Sequence, residues 1–487
     1  MPKVVKSIAK MGVTHPEVLR TARAHQAFQH FAAALRVGSD GDFYYKSRKS
    51  HKISTFWSHS WHGGHWKKIL TLIPFYNGTA AVSLGLLTGV LMMVLFCFGQ
   101  LPGFSRGWHD IRWSTWSLCS GVLVTCLVPM FWRPQTQVFF DRICISQADS
   151  ELKTQAIFSL AGLLKSSDQM LILWDPTWTQ RLWCLFELAA FLQSRKTRKQ
   201  ALIVRPVFLG PISIGIFLTM SILAMPATMV PIQNRTVVFI PMGAVLLLGM
   251  MAAYPAVSIL RNYFRDLDVM KQQLLSISFD TTRSACCDQD HVDPMGQTLL
   301  CDRRIVKECV DIWFGSQQAF EDTVRSEVLN ILEHELSERV FSTAWALGVS
   351  SPVMLIFMDL CSSFASLPLM EGGSVLQHPA PSLFIDGLLI WILALPAVKD
   401  LLICFCRLLR KRPENFCLEA LKNALTLLLI LCPLVMLLAS YGFALNPDMA
   451  KNRLLGNAIF AGSVLILSVC NCLLASTLKT LLKRPGW

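Results

Sequence analysis

Residues 79–99 read TAAVSLGLLTGVLMMVLFCFG and contain no Lys, Arg, Asp or Glu. A stretch of about 20 apolar residues is long enough to cross the hydrocarbon core of a bilayer as a helix. A helix also satisfies its own backbone hydrogen bonds, which the lipid interior cannot do. The run therefore predicts a transmembrane helix, and the whole chain agrees, since only 16% of its 487 residues are charged against roughly 25% in soluble domains.

Seven further segments share this apolar, uncharged character. With the first they lie at 79–99, 114–132, 207–230, 237–260, 341–363, 383–398, 424–445 and 455–477. The segment 383–398 is the shortest and contains Asp386 and Pro396. The pattern predicts an α-helical polytopic membrane protein with about eight spans, for which the lipid bilayer is the first partner.

The basic residues set the expected orientation. Eight spans would place both termini on one side, and the loops on the far side would be 100–113, 231–236, 364–382 and 446–454. Only five of the 45 Lys and Arg residues lie in those loops: Arg106, Arg112, Arg235, Lys451 and Arg453. Because cytosolic loops carry the excess of Lys and Arg, we expect both termini to be cytosolic. The net charge of +13 then belongs to the cytosolic face, where anionic lipid attracts it, and no nucleic acid is implied.

This topology divides the chain into soluble and membrane segments. The predicted boundaries are a basic lead at 1–51, an α/β domain formed by 52–78 and 133–206, transmembrane hairpins at 79–132 and 207–260, a cytosolic helical segment at 261–340, four transmembrane helices within 341–478 and a cytosolic tail at 479–487. In the lead, Thr14 to Glu17 has the form of a capping box. The apolar residues from Val18 to Leu35 recur at helical spacing and predict an amphipathic helix.

Four short apolar runs in the soluble segments end at polar residues. They are 53–57, 138–140, 170–174 and 201–204, and stretches with helical periodicity occupy 154–165 and 181–193. Strands that alternate with helices predict a parallel sheet, here with 53–57 at its centre. Ligands bind at the carboxyl ends of strands in such sheets. In this sequence those ends carry Ser58, His59, Asp141, Arg142 and Asp175.

The same segments resemble a known signalling module. The residues that carry the likeness are Phe56-Trp-Ser-His59, Val138-Phe-Phe-Asp141-Arg142 with Gln147, Asp149 and Lys153, Ser166-Ser167, Met170-Leu-Ile-Leu, and Arg181-Leu-Trp-Cys-Leu-Phe-Glu187-Leu-Ala. Together they resemble a TIR domain, the Toll/interleukin receptor homology module, and the Trp-Cys-Leu-x-Glu-Leu element is similar to that of plant TIR domains. Multi-span proteins of unicellular algae carry a similar motif set.

The likeness covers roughly 100 residues and implies a flavodoxin-like parallel sheet. It also departs from an ordinary TIR domain, because two predicted spans separate the first strand from the second and two more follow the fourth. The segment 261–276 is a candidate for the missing last helix. The hairpin 79–132 returns the chain to the same side, so one cytosolic domain interleaved with spans is expected.

The resemblance implies two alternatives for activity. In one, Glu187 matches the catalytic glutamate with which TIR enzymes cleave the nicotinamide–ribose bond of NAD, so that NAD would be a substrate and not a cofactor. Helical spacing places Glu187 at the border of the apolar face of its helix, so we expect it to be at least half buried and within reach of Ser58 or His59. Binding residues would be Trp57 and Trp183, as aromatic faces, with Ser58, His59, Asp141 and Arg142 at the strand ends. In the other, the domain is an adaptor that acts by association, such as homo-oligomerisation. In either case the expected function is that of a membrane-tethered signalling protein.

Other groups of polar residues point to different classes of site. His59, His62 and His65 surround Gly63-Gly64 without a carboxylate at ligand spacing, so no metal is assigned to them. Cys286, Cys287, His291 and Cys301 are either reduced loop residues or zinc ligands, and the sequence leaves both open. Asp359, Asp386 and Asn471 lie within predicted spans, where ionisable residues mark ion or substrate paths by default. Asp359 and Asp386 fall toward the far-side ends of their spans, where we expect interfacial water to solvate them. The alternative function is therefore a channel or transporter with a regulatory cytosolic α/β domain.

Overall fold

The computed structural model describes residues 2–36, 41–61, 64–105, 111–194, 201–229, 235–292, 296, 298, 300–365, 378–444 and 453–482. The chain forms two compact units. The first comprises Met1–Tyr76, Trp132–Pro211 and Asp266–Phe341, and the second comprises Asn77–Phe131, Ile212–Arg265 and Ser342–Trp487. Three segments that are remote in sequence therefore build the first unit.

The first unit is organised around a six-stranded sheet. In chain order, the strands of the protein are β1 Arg20–Arg23, β2 Arg48–Lys49, β3 Ile53–His59, β4 Phe104–Ser105, β5 Arg112–Trp113, β6 Gln137–Phe139, β7 Ser167–Trp174 and β8 Leu202–Pro206. The large sheet has the order β2-β1-β6-β3-β7-β8. Strands β6, β3, β7 and β8 pair in parallel, so the four predicted runs lie in neighbouring strands with 53–57 in the interior, as predicted.

Short strands of this kind are stable because both of their faces are covered. Phe56 and Phe139 stack across β3 and β6 with ring centroids 4.9 Å apart, and every residue from Met170 to Trp174 is buried. The helices of this unit are Pro2–Ala9, Gln29–Ala32, Asp141–Cys144, Ser150–Phe158, Leu160–Lys165, Leu182–Gln193, Ala285–Asp288, Asp302–Phe314, Gln317–Thr323 and Leu329–His334. The helical stretches at 154–165 and 181–193 are thus confirmed, the first in two pieces.

The predicted amphipathic helix in the lead is wrong. Residues 20–23 form β1, which pairs antiparallel with β2 and with β6. His30, Phe31 and Ala32 have φ near +55°, a left-handed conformation that no continuous α-helix contains. Thr14 forms no capping box, because its hydroxyl lies 2.7 Å from that of Ser159. The edge of β6 offers backbone groups that need a partner, and this pairing overrides the local periodicity.

The second unit is mainly helical and also contains the two-stranded β4–β5 sheet. Its helices are Trp116–Phe131, Leu209–Met229, Thr343–Val349, Ser351–Ala365, Pro379–Leu389, Leu395–Leu408, Phe416–Ala444 and Arg453–Leu482, with parts of His65–Cys97 and Arg235–Leu275. All eight predicted spans fall on these helices. Among the described residues, five helical stretches are long and apolar enough to cross a membrane: His65–Cys97, Gln317–Ala365, Pro379–Leu408, Phe416–Met436 and Leu455–Leu478.

The other three predicted spans are not among these five stretches. Trp116–Phe131 is a shorter apolar helix, and so is Leu209–Met225, the part of Leu209–Met229 whose side chains are described. The span 237–260 lies within Arg235–Leu275, and its side chains up to 246 are outside the described residues. The five helices make this a protein with a membrane-embedded part, and the count of eight remains a prediction.

Small residues and buried charges hold the second unit together. A Cβ on Gly85 would meet Thr125 Oγ1 at 2.0 Å, so glycine lets His65–Cys97 approach Trp116–Phe131 closely. The guanidinium of Arg261 is fully buried and donates to the Leu409 carbonyl at 2.7 Å and to Glu419 Oε2 at 3.0 Å. A buried cation without such partners would be costly, so this ion pair fixes the loop after Leu395–Leu408.

Candidate functional site

Polar side chains converge where the parallel strands β3, β6 and β7 end. We define the strand-end cluster by the residues Ser58, His59, Lys68, Asp141, Asp175 and Glu187. Ser58 and His59 close β3, Asp141 follows β6, Asp175 follows β7, Lys68 lies in the first turn of His65–Cys97, and Glu187 lies on Leu182–Gln193. This is the edge at which parallel sheets bind ligands.

Glu187 is placed at the border of its helix, as its spacing predicts. Leu182, Leu185, Phe186 and Ala189 are buried, while Glu187 is only partly exposed. The hydroxyl of Ser58 donates to Glu187 Oε2 at 2.5 Å. The prediction that Glu187 is at least half buried and within reach of Ser58 or His59 is therefore confirmed, with Ser58 as the partner.

The environment of Glu187 favours its neutral form. Burial raises the pKa of Glu187 from 4.5 to about 8, the hydrogen bond from Ser58 lowers it, and the nearby negative charge of Asp141 raises it further. Removal of a carboxylate from water penalises the charged form, and a second carboxylate adds repulsion. At neutral pH the carboxyl of Glu187 is thus mostly protonated in the free protein.

Ser58 is itself held in place. The indole Nε1 of Trp178 donates to Ser58 Oγ at 3.0 Å, and both residues are fully buried. Since the hydroxyl accepts this bond, its own proton is directed to Glu187. Trp178, Ser58 and Glu187 therefore form one oriented chain of hydrogen bonds.

His59 is buried and neutral. Its ring lies 4.6 Å from that of Trp61 and 5.3 Å from that of Phe140, and its Nε2 has no hydrogen-bond partner among the described residues. Burial, with a smaller contribution from the charge of Lys68, lowers the pKa of His59 from 6.5 to about 3. A neutral imidazole with an unused nitrogen is available to a ligand as a hydrogen-bond donor or acceptor.

Asp141 is the second perturbed carboxyl of the cluster. Trp61 Nε1 donates to Asp141 Oδ2 at 3.1 Å, and the backbone N–H of Arg142 donates to its Oδ1 at 2.7 Å. Burial raises the pKa of Asp141 to about 6, although both hydrogen bonds and the charges of Arg142 and Lys68 lower it. Two carboxyls with raised pKa values at one sheet edge are typical of sites that do chemistry.

The sequence placed Asp175 among the polar strand ends, but it did not indicate Lys68. Lys68 is buried and donates to the carbonyl of Ser60. Asp175 is buried, accepts from the N–H of Thr177 at 2.8 Å, and has no partner for Oδ2 among the described residues. The sequence signal for Lys68 is its position at the start of a helix that is otherwise mostly apolar.

Of three further predicted binding residues, Trp57 does not present itself to a ligand in the predicted way, and the roles of Arg142 and Trp183 stay predictions. Trp57 is 2% exposed and donates through Nε1 to the hydroxyl of Tyr76 at 2.8 Å, so it offers no free aromatic face. Arg142 donates to the carbonyl of Arg36 at 2.7 Å. Trp183 is one turn from Glu187, but its Nε1 donates to Asp302 Oδ2 at 3.2 Å. His62 and Gly63 lie outside the described residues.

Asp359 has a structural role in the second unit. Its carboxylate is fully buried and accepts from the N–H groups of Ser117 and Leu118 at 2.9 and 2.8 Å and from Ser114 Oγ at 2.8 Å. It thus caps the amino end of Trp116–Phe131. The expectation that interfacial water solvates this side chain is wrong, because protein donors replace the water. Asp386 and Asn471 are also buried.

Comparison of the chain with protein-family models, with curated proteins and with solved structures gives no match. The chemistry of the site must therefore be argued from its own residues.

Proposed function

We propose that this protein is a membrane-tethered signalling protein whose α/β unit is TIR-like and cleaves the nicotinamide–ribose bond of NAD, with Glu187 as the catalytic residue. The observation that carries the proposal is the contact of Glu187 with Ser58 at the end of an interior parallel strand, beside Asp141. A carboxyl in this position is where the resemblance requires the catalytic glutamate.

The order of the parallel strands supports the same proposal. Counted from β3 in chain order, the four strands β6, β3, β7 and β8 have the order 2-1-3-4, which begins the flavodoxin-like arrangement. The antiparallel β1 and β2 extend the sheet beyond β6, in contrast to that arrangement. The helix that bears Glu187 connects β7 to β8, as the TIR-like motif order implies.

The neutral state of Glu187 fits a cationic substrate. The nicotinamide ring of NAD carries a positive charge, and a cation near a buried carboxyl lowers the pKa of that carboxyl. Binding would therefore ionise Glu187 and release its proton to solvent. As the bond from ribose C1′ to the ring nitrogen breaks, its electron pair neutralises the ring and positive charge develops on the ribose, which the new carboxylate stabilises. Water then attacks C1′ and loses a proton, leaving ADP-ribose and nicotinamide.

The test is NAD consumption by the purified full chain in lipid nanodiscs, with nicotinamide and ADP-ribose quantified by chromatography. Glu187→Gln keeps the size of the side chain and its ability to accept from Ser58 but cannot ionise. We expect it to lower turnover by at least two orders of magnitude, while Glu151→Gln, at an exposed helix position, retains wild-type turnover. No consumption by the wild type, or equal turnover in Glu187→Gln, would reject catalysis and leave only the adaptor role.

The transporter alternative has less support from the described residues. Asp359 was one of its candidate residues, and the hydrogen bonds described for its carboxylate hold the start of Trp116–Phe131. A carboxylate used in this way is not available to a passing ion. Solute flux in proteoliposomes that contain the purified chain would nevertheless favour the transporter over the signalling proposal.

A further inference from the structure

A second group of polar residues lies in the first unit, between Ser284 and Asp302. Cys286, Cys287, His291 and Cys301 each offer one ligand atom, and these four atoms all lie within 4.8 Å of one another. Cys286 is buried and the other three are partly buried. Nothing in the proposed function uses them.

The separations between these atoms match those of a metal site. A zinc–thiolate bond of about 2.3 Å gives a tetrahedron with a sulfur–sulfur edge of about 3.8 Å, and a zinc–imidazole bond of about 2.0 Å gives a sulfur–nitrogen edge of about 3.5 Å. The Sγ of Cys287 lies 3.8 Å from that of Cys286, 3.9 Å from that of Cys301 and 3.6 Å from His291 Nε2. These distances are also far longer than a disulfide bond, which is about 2.05 Å.

The backbone is shaped to bring these side chains together. Asp290 and His291 have φ of 48° and 60°, a left-handed conformation that costs free energy for residues other than glycine. The N–H of His291 donates to the carbonyl of Cys286 at 2.8 Å, which closes the loop. Such a conformation persists only where its surroundings impose it, and four ligands on one ion would do so.

Hydrogen-bonding groups and the amino end of a helix also lie beside the sulfur atoms. The N–H of Asp302 lies 3.3 Å from the sulfur of Cys286 and is oriented to donate to it, and the hydroxyl of Ser284 is 3.2 Å from the same sulfur. Cys301 is the N-cap of Asp302–Phe314, so the positive end of this helix faces the ligands. These are the groups expected around a thiolate-rich centre.

We propose that Cys286, Cys287, His291 and Cys301 bind one structural zinc ion. Four protein ligands close the tetrahedron and leave no position for water or substrate, so the ion has no catalytic role. The adjacent pair Cys286-Cys287 departs from the usual spacing of two to four residues, and this is why the sequence alone left the site open. The pair lies on the single helical turn Ala285–Asp288.

The ion would stabilise the start of the helix that bears Glu187. The N–H of Leu182 donates to the carbonyl of Arg283 at 3.1 Å, and the N–H of Arg283 donates to the carbonyl of Gln180 at 2.8 Å. On the other side of the metal ligands, Asp302 accepts from Trp183. Residues 283–302 thus contact the first turn of Leu182–Gln193 at two points, and the ion would tie these two points together.

The first measurement is the metal content of the full chain, purified in detergent without chelator. We expect one zinc per chain, and replacement by Co²⁺ is expected to give the intense visible bands of tetrahedral thiolate coordination. Iron in place of zinc, zinc far below one per chain after incubation with Zn²⁺, or a Cys287–Cys301 disulfide found by mass spectrometry without reduction would each overturn the proposal.

Variants test which residues bind the ion. Cys301→Ser is expected to lose the zinc, whereas Cys417→Ser, at an exposed cysteine outside the cluster, is expected to retain it. Because Cys301→Ser could fail to fold, Cys301→His provides a second readout: it restores a ligand, so it is expected to keep one metal ion with weaker sulfur-to-Co²⁺ charge-transfer absorption. Unchanged absorption in Cys301→His, or full zinc content in Cys301→Ser, would contradict the assignment. None of these readouts depends on NAD cleavage.

Discussion

Replacement of Glu187 by Gln is expected to stabilise the first unit at neutral pH while it lowers the proposed NAD cleavage. In the unfolded chain Glu187 loses its proton near its ordinary pKa of 4.5, but in the folded protein it keeps the proton up to about pH 8. Between these values the folded state binds more protons than the unfolded state, so the stability contributed by this group falls as the pH rises. Below pH 4.5 Glu187 is protonated in both states and its contribution to stability does not change with pH. Above pH 8 it is ionised in both states, and the loss of stability has reached its full size.

The size of the effect follows from the same shift. One pH unit in this window is worth about 1.4 kcal/mol, so between pH 4.5 and pH 7 wild-type Glu187 costs about 3 kcal/mol. Gln at this position has no such penalty, because it is neutral in both states and still accepts the hydrogen bond from Ser58. The variant and the wild type should therefore be similar near pH 4.5 and differ by about 3 kcal/mol at pH 7.

Amide hydrogen exchange of Leu182–Gln193, read by mass spectrometry on the full chain in nanodiscs, measures this difference. Comparison at a single pH cancels the intrinsic pH dependence of exchange. At pH 7 the variant should exchange roughly a hundred-fold or more slowly than the wild type, and at pH 4.5 the two should nearly coincide. Glu151→Gln should follow the wild type at both pH values. A difference between Glu187→Gln and wild type that does not change with pH would refute the raised pKa and the reasoning built on it.

Three further outcomes are expected. Ser58→Ala removes a hydrogen bond that lowers the pKa of Glu187, so the pH at which kcat/KM rises should move upward, and an unchanged profile would contradict the role of Ser58. Burial lowers the pKa of His59 from its ordinary 6.5 to about 3 in the folded protein, so the folded state loses stability as the pH falls below 6.5. By pH 5 the loss in the free energy of unfolding is about 2 kcal/mol. In His59→Gln this part of the acid sensitivity, measured by hydrogen exchange, should disappear. One reporter is placed after Trp487 and another within 364–382, most of which lies outside the described residues. The two should react with a membrane-impermeant reagent added on opposite sides of the bilayer, and labelling of both from one side would refute eight spans.

Much of the sheet was predictable because its strands are local features. Each of β3, β6, β7 and β8 is a short apolar run that ends at polar residues, which is the pattern of a strand buried on both faces. Strand β1 was not predictable in this way. Ala22 pairs with Val138, more than a hundred residues later, and no property of residues 18–35 indicates that partner.

In the candidate site, too, local features were predictable from the sequence and contacts between distant residues were not. The position of Glu187 followed from helical spacing, since its neighbours Leu185, Phe186 and Ala189 define the buried face. Trp57 was assigned wrongly because it lies inside β3, two residues before the end of the strand, where both faces of the sheet are covered. Trp183 is at the correct helical spacing from Glu187, and its partner Asp302 could be identified only once the fold was known.

The two proposals meet at the beginning of one helix. Leu182–Gln193 has no side-chain cap, because its N-cap residue is Arg181, and the first free N–H groups of a helix otherwise need a polar side chain. The carbonyl of Arg283 accepts from Leu182 in place of a cap, three residues before the first cysteine of the proposed zinc site. The position of Glu187 one turn later thus depends on a segment that is not part of the sheet. The proposed zinc ion would not touch the substrate, but it would hold the contact at Leu182 that helps to position the carboxyl of Glu187 against Ser58.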